Sequence, residues 1–139
     1  MLNACSQRLA LPIESAKLTL AVHVQDGLPR IPISRGAFDR VLDNLIGNAM
    51  RHTPAGGSIG LSAELANNAL VIRVSDTGEG IALAQQALIF QPFVQIGPKR
   101  GGAGLGLAIC KEIVQQHGGT ITIYSQPRRG TTFTISLPV

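Results

Sequence analysis

With 139 residues, 45% of them hydrophobic and 14% charged, the chain is long enough for one folded domain and too apolar for a disordered polyelectrolyte. Twelve Lys and Arg against eight Asp and Glu leave a net charge of +4, which suits an anionic partner. Aromatic residues are only 4%, with no Trp and one Tyr, so the stacking surface that single-stranded nucleic acid requires is scarce and a phosphorylated small molecule is the better match.

In chain order, residues 1–16 show no clear period and read as a residual linker or the tail of an upstream segment, with the domain expected over 17–139. They lack a basic stretch followed by an apolar run, and no stretch approaches about 18 consecutive apolar residues, so neither a secretory leader nor a membrane contact is expected. Lys17 to Val24 alternates, with Leu18, Leu20, Val22 and Val24 on one side, and predicts a half-buried strand closed by the Asp26-Gly27 turn. Arg30 to Ile33 is a candidate partner strand. Ser34 is a good N-cap for a helix through about Arg51, which Thr53-Pro54-Ala55-Gly56-Gly57 stops.

Ser58 to Leu65 and Ala69 to Ser75, joined at Asn67-Asn68, predict a hairpin. Asp76 to Ile81 is a loop, Ala82 to Leu88 a short helix, and Phe90 to Gly102 a Gly- and Pro-containing connection of the kind that is functional or mobile. Gly104 to His117 is helical up to the Gly118-Gly119 stop, and Thr120 to Ser125 and Thr131 to Leu137 are the last two strands. Hairpins outnumber crossovers, which predicts an α/β two-layer sandwich: a mixed, mostly antiparallel sheet with about three helices on one face. Cys5 and Cys110 have no CxxC spacing and no companion pair, so neither a disulfide framework nor a zinc site is expected, and a reducing cytoplasmic setting fits.

Three features carry chemistry. On the 34 to 51 helix, at about 100° per residue, Phe38, Leu42, Leu45 and Ala49 form the core side, with Val41 and Ile46 at its margins. Asn44, Asn48 and Arg51 recur at i, i+4 and i+7 on the opposite side, with His52 at the edge. Asn costs several tenths of a kcal/mol against Ala inside a helix, so two aligned amides are not explained by helix stability. An amide oxygen is a hard neutral ligand for magnesium, whose shell phosphate oxygens and water complete, and Arg51 can hold a phosphate. The same row is equally compatible with a solvated face shared with Arg40.

Asp76 ends an apolar strand and is followed by Thr77-Gly78-Glu79-Gly80-Ile81. Ionised, it only accepts, which complements the exocyclic amine of adenine, and glycines beside it leave room for a flat ring. An ordinary Asp-capped turn has the same sequence. Gly101-Gly102-Ala103-Gly104-Leu105-Gly106-Leu107 runs into a helix and offers free N–H groups at its positive end to a phosphate, with Lys99 and Arg100 within reach. Neither the Gly-Lys-Ser/Thr ending of a P-loop nor a strand before the glycines is present, which disfavours the two commoner nucleotide motifs.

Taken in order, Asn44-Leu45-Ile46-Gly47-Asn48-Ala49, Asp76-Thr77-Gly78-Glu79-Gly80-Ile81, Phe90-Gln91-Pro92-Phe93 and Gly102-Ala103-Gly104-Leu105-Gly106-Leu107 resemble the N, G1, F and G2 boxes of sensor histidine kinases. The likeness runs over roughly residues 17–139 and includes Gly130-Thr131-Thr132-Phe133 and the ending Ser136-Leu137-Pro138. It implies the Bergerat ATP-binding fold, with ATP and Mg2+ as cofactors. It also implies that Asn48 ligates the metal, that Asn44 and Arg51 approach the phosphates or metal, and that Asp76 accepts from the adenine amine. Gly78 and Gly80 would shape the base pocket, Gly102, Gly104 and Gly106 would serve the phosphates, and Phe93 would anchor a lid. His52, Ile81, Leu105, Leu107 and Thr131 complete the implied nucleotide-binding set, with Lys99 and Arg100.

Many members of that family carry Lys and Tyr where Arg51 and His52 stand, and the lid from Val94 to Arg100 is short. Gyrase-type and chaperone ATPases place a water-activating Glu where Asn44 stands, and a neutral amide is a poor general base. The resemblance therefore implies phosphoryl transfer, catalysed by positioning and charge neutralisation, to a His on an upstream helical dimerisation segment, and from there to a response regulator. His23, His52 and His117 all lie inside the ATP-binding region, so the chain is expected to be an excised catalytic domain that needs that segment to autophosphorylate. A Ser/Thr protein kinase of the anti-sigma type and a non-catalytic nucleotide-binding regulatory module are the alternatives. The full-length protein would be cytoplasmic or anchored in the inner membrane.

Overall fold

The computed structural model describes residues 12–29, 33–86, 88–91 and 106–139. Its elements are β1 (Thr19–Val24), α1 (Arg35–His52), β2 (Ser58–Ala66), β3 (Ala69–Asp76), α2 (Leu83–Gln86), α3 (Gly106–Gln116), β4 (Thr120–Gln126) and β5 (Gly130–Pro138). They build one five-stranded sheet in the order β1-β2-β3-β5-β4. β1 runs parallel to β2, in the register Thr19↔Ser58, because α1 carries the chain back between them. The other three pairings are antiparallel. The mixed sheet with helices against it is the expected architecture.

Local chemistry accounts for the elements. The Ser34 hydroxyl accepts from the Ala37 N–H at 3.1 Å and caps α1, and the Thr53 hydroxyl donates to the Ala49 carbonyl at 2.7 Å where the helix ends. Asn67 and Asn68 both take positive φ, 52° and 60°, as a two-residue hairpin turn between antiparallel strands requires. One face of the sheet supplies Ile59, Leu61, Ile72, Val74, Phe133 and Ile135 to the core, and α1 supplies Phe38, Leu42, Leu45 and Ala49. Val41 and Ile46 are buried as deeply as these, a correction to their expected place at the margin. The cause is that α1 is covered twice, by the sheet and by α3.

Several element ends differ from expectation. β1 starts at Thr19 because Lys17 takes φ 58°, and its last residue, Val24, is 40% exposed at the open end of the sheet. The short helix covers Leu83–Gln86 rather than 82–88 and gives way to turns. Residues 12–15, in the stretch expected to be linker, form one helical turn that places Ile13 in the core, 2% exposed. Residues 30–32 of the candidate second strand, and 104–105 at the expected start of the later helix, lie outside the described residues.

Candidate functional site

Asp76 stands at the end of β3, paired in register with Thr131 of β5, and Thr131 in turn is paired with Ser125 of β4. The three side chains form a polar row across three strands, beside the apolar helix-facing residues of the sheet. Asp76 is buried, and its Oδ1 accepts from the Gly78 N–H at 2.9 Å. Burial pushes its carboxyl above the ordinary value of 3.8, against the opposing pull of the Gly78 and Thr131 N–H groups and of His52.

The loop after Asp76 is wedged rather than open. A Cβ on Gly78 would stand 2.3 Å from the His52 carbonyl oxygen at the end of α1. Gly80, at φ 73°, has the Gln126 carbonyl oxygen 2.1 Å from where its Cβ would be. Both glycines are therefore needed by the protein's own backbone contacts, a requirement separate from the room for a ring expected from the sequence. Further bonds tie the loop down. The Glu79 N–H donates to the His52 carbonyl at 3.2 Å, the Arg128 N–H donates to the Glu79 carbonyl at 2.6 Å, and His52 Nδ1 lies 3.0 Å from Glu79 Oε1.

Ile81 is buried, and its N–H donates to the Ser125 hydroxyl at 2.7 Å. The Gln86 amide donates to the Ile81 carbonyl at 2.8 Å and to the Ser125 carbonyl at 3.0 Å, which fixes the far end of the loop. Ser125 and Gln86 carry no signal in the sequence that marks them for the site. Ser125 lies 44 residues from Ile81 along the chain, and only the strand register brings it opposite Thr131.

On the helix side, Asn48 is 7% exposed, so its amide is not part of a solvated face. Asn44 is half-buried and its Nδ2 donates to the Gly106 carbonyl at 3.3 Å, joining α1 to the first residue of α3. Cys110, one turn along α3, is buried against the same region, with its thiol on the Val41 carbonyl at 3.6 Å. Arg51 is exposed and its Nη1 lies 3.6 Å from the position a Gly47 Cβ would take, so the guanidinium folds back along the helix. Leu107 is half-buried against the core. Phe90, first residue of the Phe-Gln-Pro-Phe motif, packs edge-on against Phe133 with ring centroids 6.1 Å apart. Phe93, Lys99, Arg100, Gly102, Gly104 and Leu105 lie outside the described residues.

The structure thus brings Asp76, Gly78, Gly80, Ile81 and Thr131 together with His52 at the end of α1, and ties Asn44 to Gly106. Among the described residues no three His, Cys, Asp or Glu side chains gather, so a divalent cation here would be held by neutral amide oxygen together with oxygens of its ligand. Asn48 has the chemistry for that role. A groove of about 510 Å³ at β1 and β2, lined among others by His23, Glu64 and Arg73, is separate from these residues, and its Arg73 and Glu64 are paired with each other.

A family model described as histidine kinase-, DNA gyrase B-, and HSP90-like ATPase matches residues 34–139. The alginate biosynthesis sensor protein KinB of Pseudomonas aeruginosa is 47% identical over 139 residues, covering 100% of this chain and 23% of that protein. Sensor protein DivL of Caulobacter vibrioides is 41% identical over 138 residues, covering 99% of this chain and 18% of that protein. The chain therefore spans less than a quarter of the length of either relative. Among solved structures, the catalytic domain of histidine kinase ThkA superposes with a TM-score of 0.86 at 26% identity, over 98% of this chain and 90% of that one. Full-length ShkA in complex with AMPPNP superposes with a TM-score of 0.88 at 30% identity, over 99% of this chain and 29% of that one.

Proposed function

The chain belongs to the family of histidine kinase-, DNA gyrase B- and HSP90-like ATPases, and from that premise we propose that it acts as the ATP-binding catalytic domain of a two-component sensor histidine kinase. Its relatives are sensor kinases, and a structural neighbour carries an ATP analogue. Asp76 receives the adenine amine. Gly78, Gly80, Ile81 and Thr131 frame the base. Asn48 holds Mg2+, and Asn44, Arg51 and the N-terminus of α3 face the phosphates, with His52 at the rim. Bound ATP supplies the γ-phosphoryl group. The protein's share is to orient it and to offset its charge, since Asn44 cannot act as a base toward water.

The acceptor is a histidine on a helical dimerisation segment, with a response regulator downstream and a cytoplasmic location. No helix among the described residues is long and apolar enough to cross a membrane.

The observation that carries this reading is Asp76. A carboxylate buried at a strand end, against the cost of desolvation, is explained by a ligand that donates to it. The test is to incubate the domain with labelled ATP, Mg2+ and dimerisation segments of sensor kinases. Acid-labile phosphate on histidine is the expected result. Phosphate on Ser or Thr would indicate the anti-sigma type of kinase instead, and failure to bind any adenosine phosphate would overturn the assignment.

A further inference from the structure

The Ser125 hydroxyl sits at a junction of three hydrogen bonds. It accepts from the Ile81 N–H at 2.7 Å, lies 3.0 Å from the Gly130 carbonyl, and lies 2.8 Å from the Thr131 hydroxyl. A serine hydroxyl has one proton and two lone pairs. A carbonyl only accepts, so that proton goes to Gly130, and the Ile81 N–H takes one lone pair. The remaining lone pair faces Thr131, which makes the Thr131 hydroxyl the donor of that pair. With its proton committed to Ser125, the Thr131 oxygen offers only lone pairs to anything else it meets.

Thr131 is the in-register neighbour of Asp76, which is itself acceptor-only when ionised. Of the N–H groups beside them, those of Gly78 and Thr131 act on the Asp76 carboxylate, and that of Ile81 is held by Ser125. At Asp76 and Thr131 the wall of the site therefore accepts and does not donate.

We propose that Ser125 is a positioning residue for base selection: by drawing the Thr131 hydroxyl proton toward β4 it keeps the wall at Asp76 and Thr131 acceptor-only, so that a 6-aminopurine nucleotide is taken in preference to a 6-oxopurine one. The proposal rests on Asp76 receiving the base. The two protons of a purine amine can satisfy both acceptors, whereas a 6-oxopurine offers them only its one ring N–H and leaves its carbonyl oxygen facing groups with nothing to give it.

The experiment is calorimetric titration of the chain with ATP and with ITP, whose bases differ at position 6 and its adjoining ring proton. The proteins are the wild type, Ser125→Ala and Ser125→Thr, each checked for folding by circular dichroism. In Ser125→Ala the Thr131 proton loses its acceptor and is free to turn toward the site. The ATP-over-ITP preference should then narrow by about fivefold, the worth of one ordinary hydrogen bond. Ser125→Thr, which keeps the hydroxyl, should restore it.

A residue that merely supports the loop would weaken both nucleotides alike, so an unchanged ratio in Ser125→Ala overturns the proposal while leaving the base site intact. A wild type that binds neither nucleotide, or both equally, overturns the base-site assignment and the proposal with it. Should Ser125→Ala not fold, Ser125→Cys puts in place of the hydroxyl a thiol, a weak acceptor that holds the Thr131 proton poorly. A narrowed ratio supports the proposal there, and an unchanged one overturns it.

Discussion

Replacing Gly78 by Ala puts a methyl group 2.3 Å from the His52 carbonyl oxygen and 2.9 Å from its carbon. Both atoms are backbone at the end of a helix and cannot rotate aside, so the loop has to retreat by on the order of 1 Å to reach ordinary contact. That retreat breaks the Glu79 N–H bond to the His52 carbonyl and loosens the Gly78 N–H bond to Asp76 Oδ1. The first is a neutral hydrogen bond worth about 1 kcal/mol and the second is charge-assisted, worth about 1.5 to 3 kcal/mol, so Gly78→Ala should destabilise the domain by about 2 to 4 kcal/mol. At a urea slope of ~2 kcal/mol per M the midpoint falls by about 1 to 2 M.

Gly60 is the control. It sits inside β2 with nothing within 4 Å of the place its Cβ would take, so Gly60→Ala should leave stability unchanged or raise it by about 0.5 kcal/mol. Both measurements are made without nucleotide. A Gly78→Ala protein that unfolds at the wild-type midpoint and loses only nucleotide affinity would show that the loop has room to spare, and that the glycine answers to the ligand alone.

Three further outcomes are expected. Asp76 has a raised folded pKa, so the folded protein binds its proton more tightly than the unfolded chain. Nucleotide-free stability from this group is therefore fully present below 3.8 and is lost as pH rises through the folded value. Asp76→Asn should remove that fall from a pH series of urea midpoints while weakening ATP binding by about ten- to a hundredfold, and a mutant that keeps the fall places its origin elsewhere. Asn48→Ala should lose much more affinity for ATP with Mg2+ than without it in paired titrations, whereas equal losses would end its assignment as a metal ligand. In a Cys5→Ser background, the Cys110 thiol, fully buried and pushed up to about 12 by desolvation, should react with a disulfide reagent at pH 8 only as fast as the domain unfolds; rapid labelling of the native state would contradict its placement.

Where structure follows from neighbours along the chain, the sequence was informative. Ser34 and the apolar period of 35–52 announce α1, and Asn67-Asn68 announces the hairpin because those residues tolerate left-handed backbone. Pairings between distant segments were not legible, since nothing local says that β1 lies parallel to β2 or that β5 enters between β3 and β4. The site divides the same way. Asp76 stood out as a carboxylate closing an apolar strand. Asn48 could be read as solvated because a helical wheel shows one buried stripe, whereas α1 is covered by both the sheet and α3. Ser125 left no trace in the sequence, because its partners are set by register across β4 and β5 and by a loop from elsewhere in the chain.

The closeness of Gly78 to His52 and of Gly80 to Gln126 is a matter of main chain meeting main chain. The obstructing oxygens belong to every amino acid, so no exchange of side chain at position 52 or 126 can make way for a larger residue in the loop. A genetic screen for suppressors of Gly78→Ala should accordingly return reversion to glycine, or changes that re-aim a whole segment, in preference to a compensating partner at the point of collision.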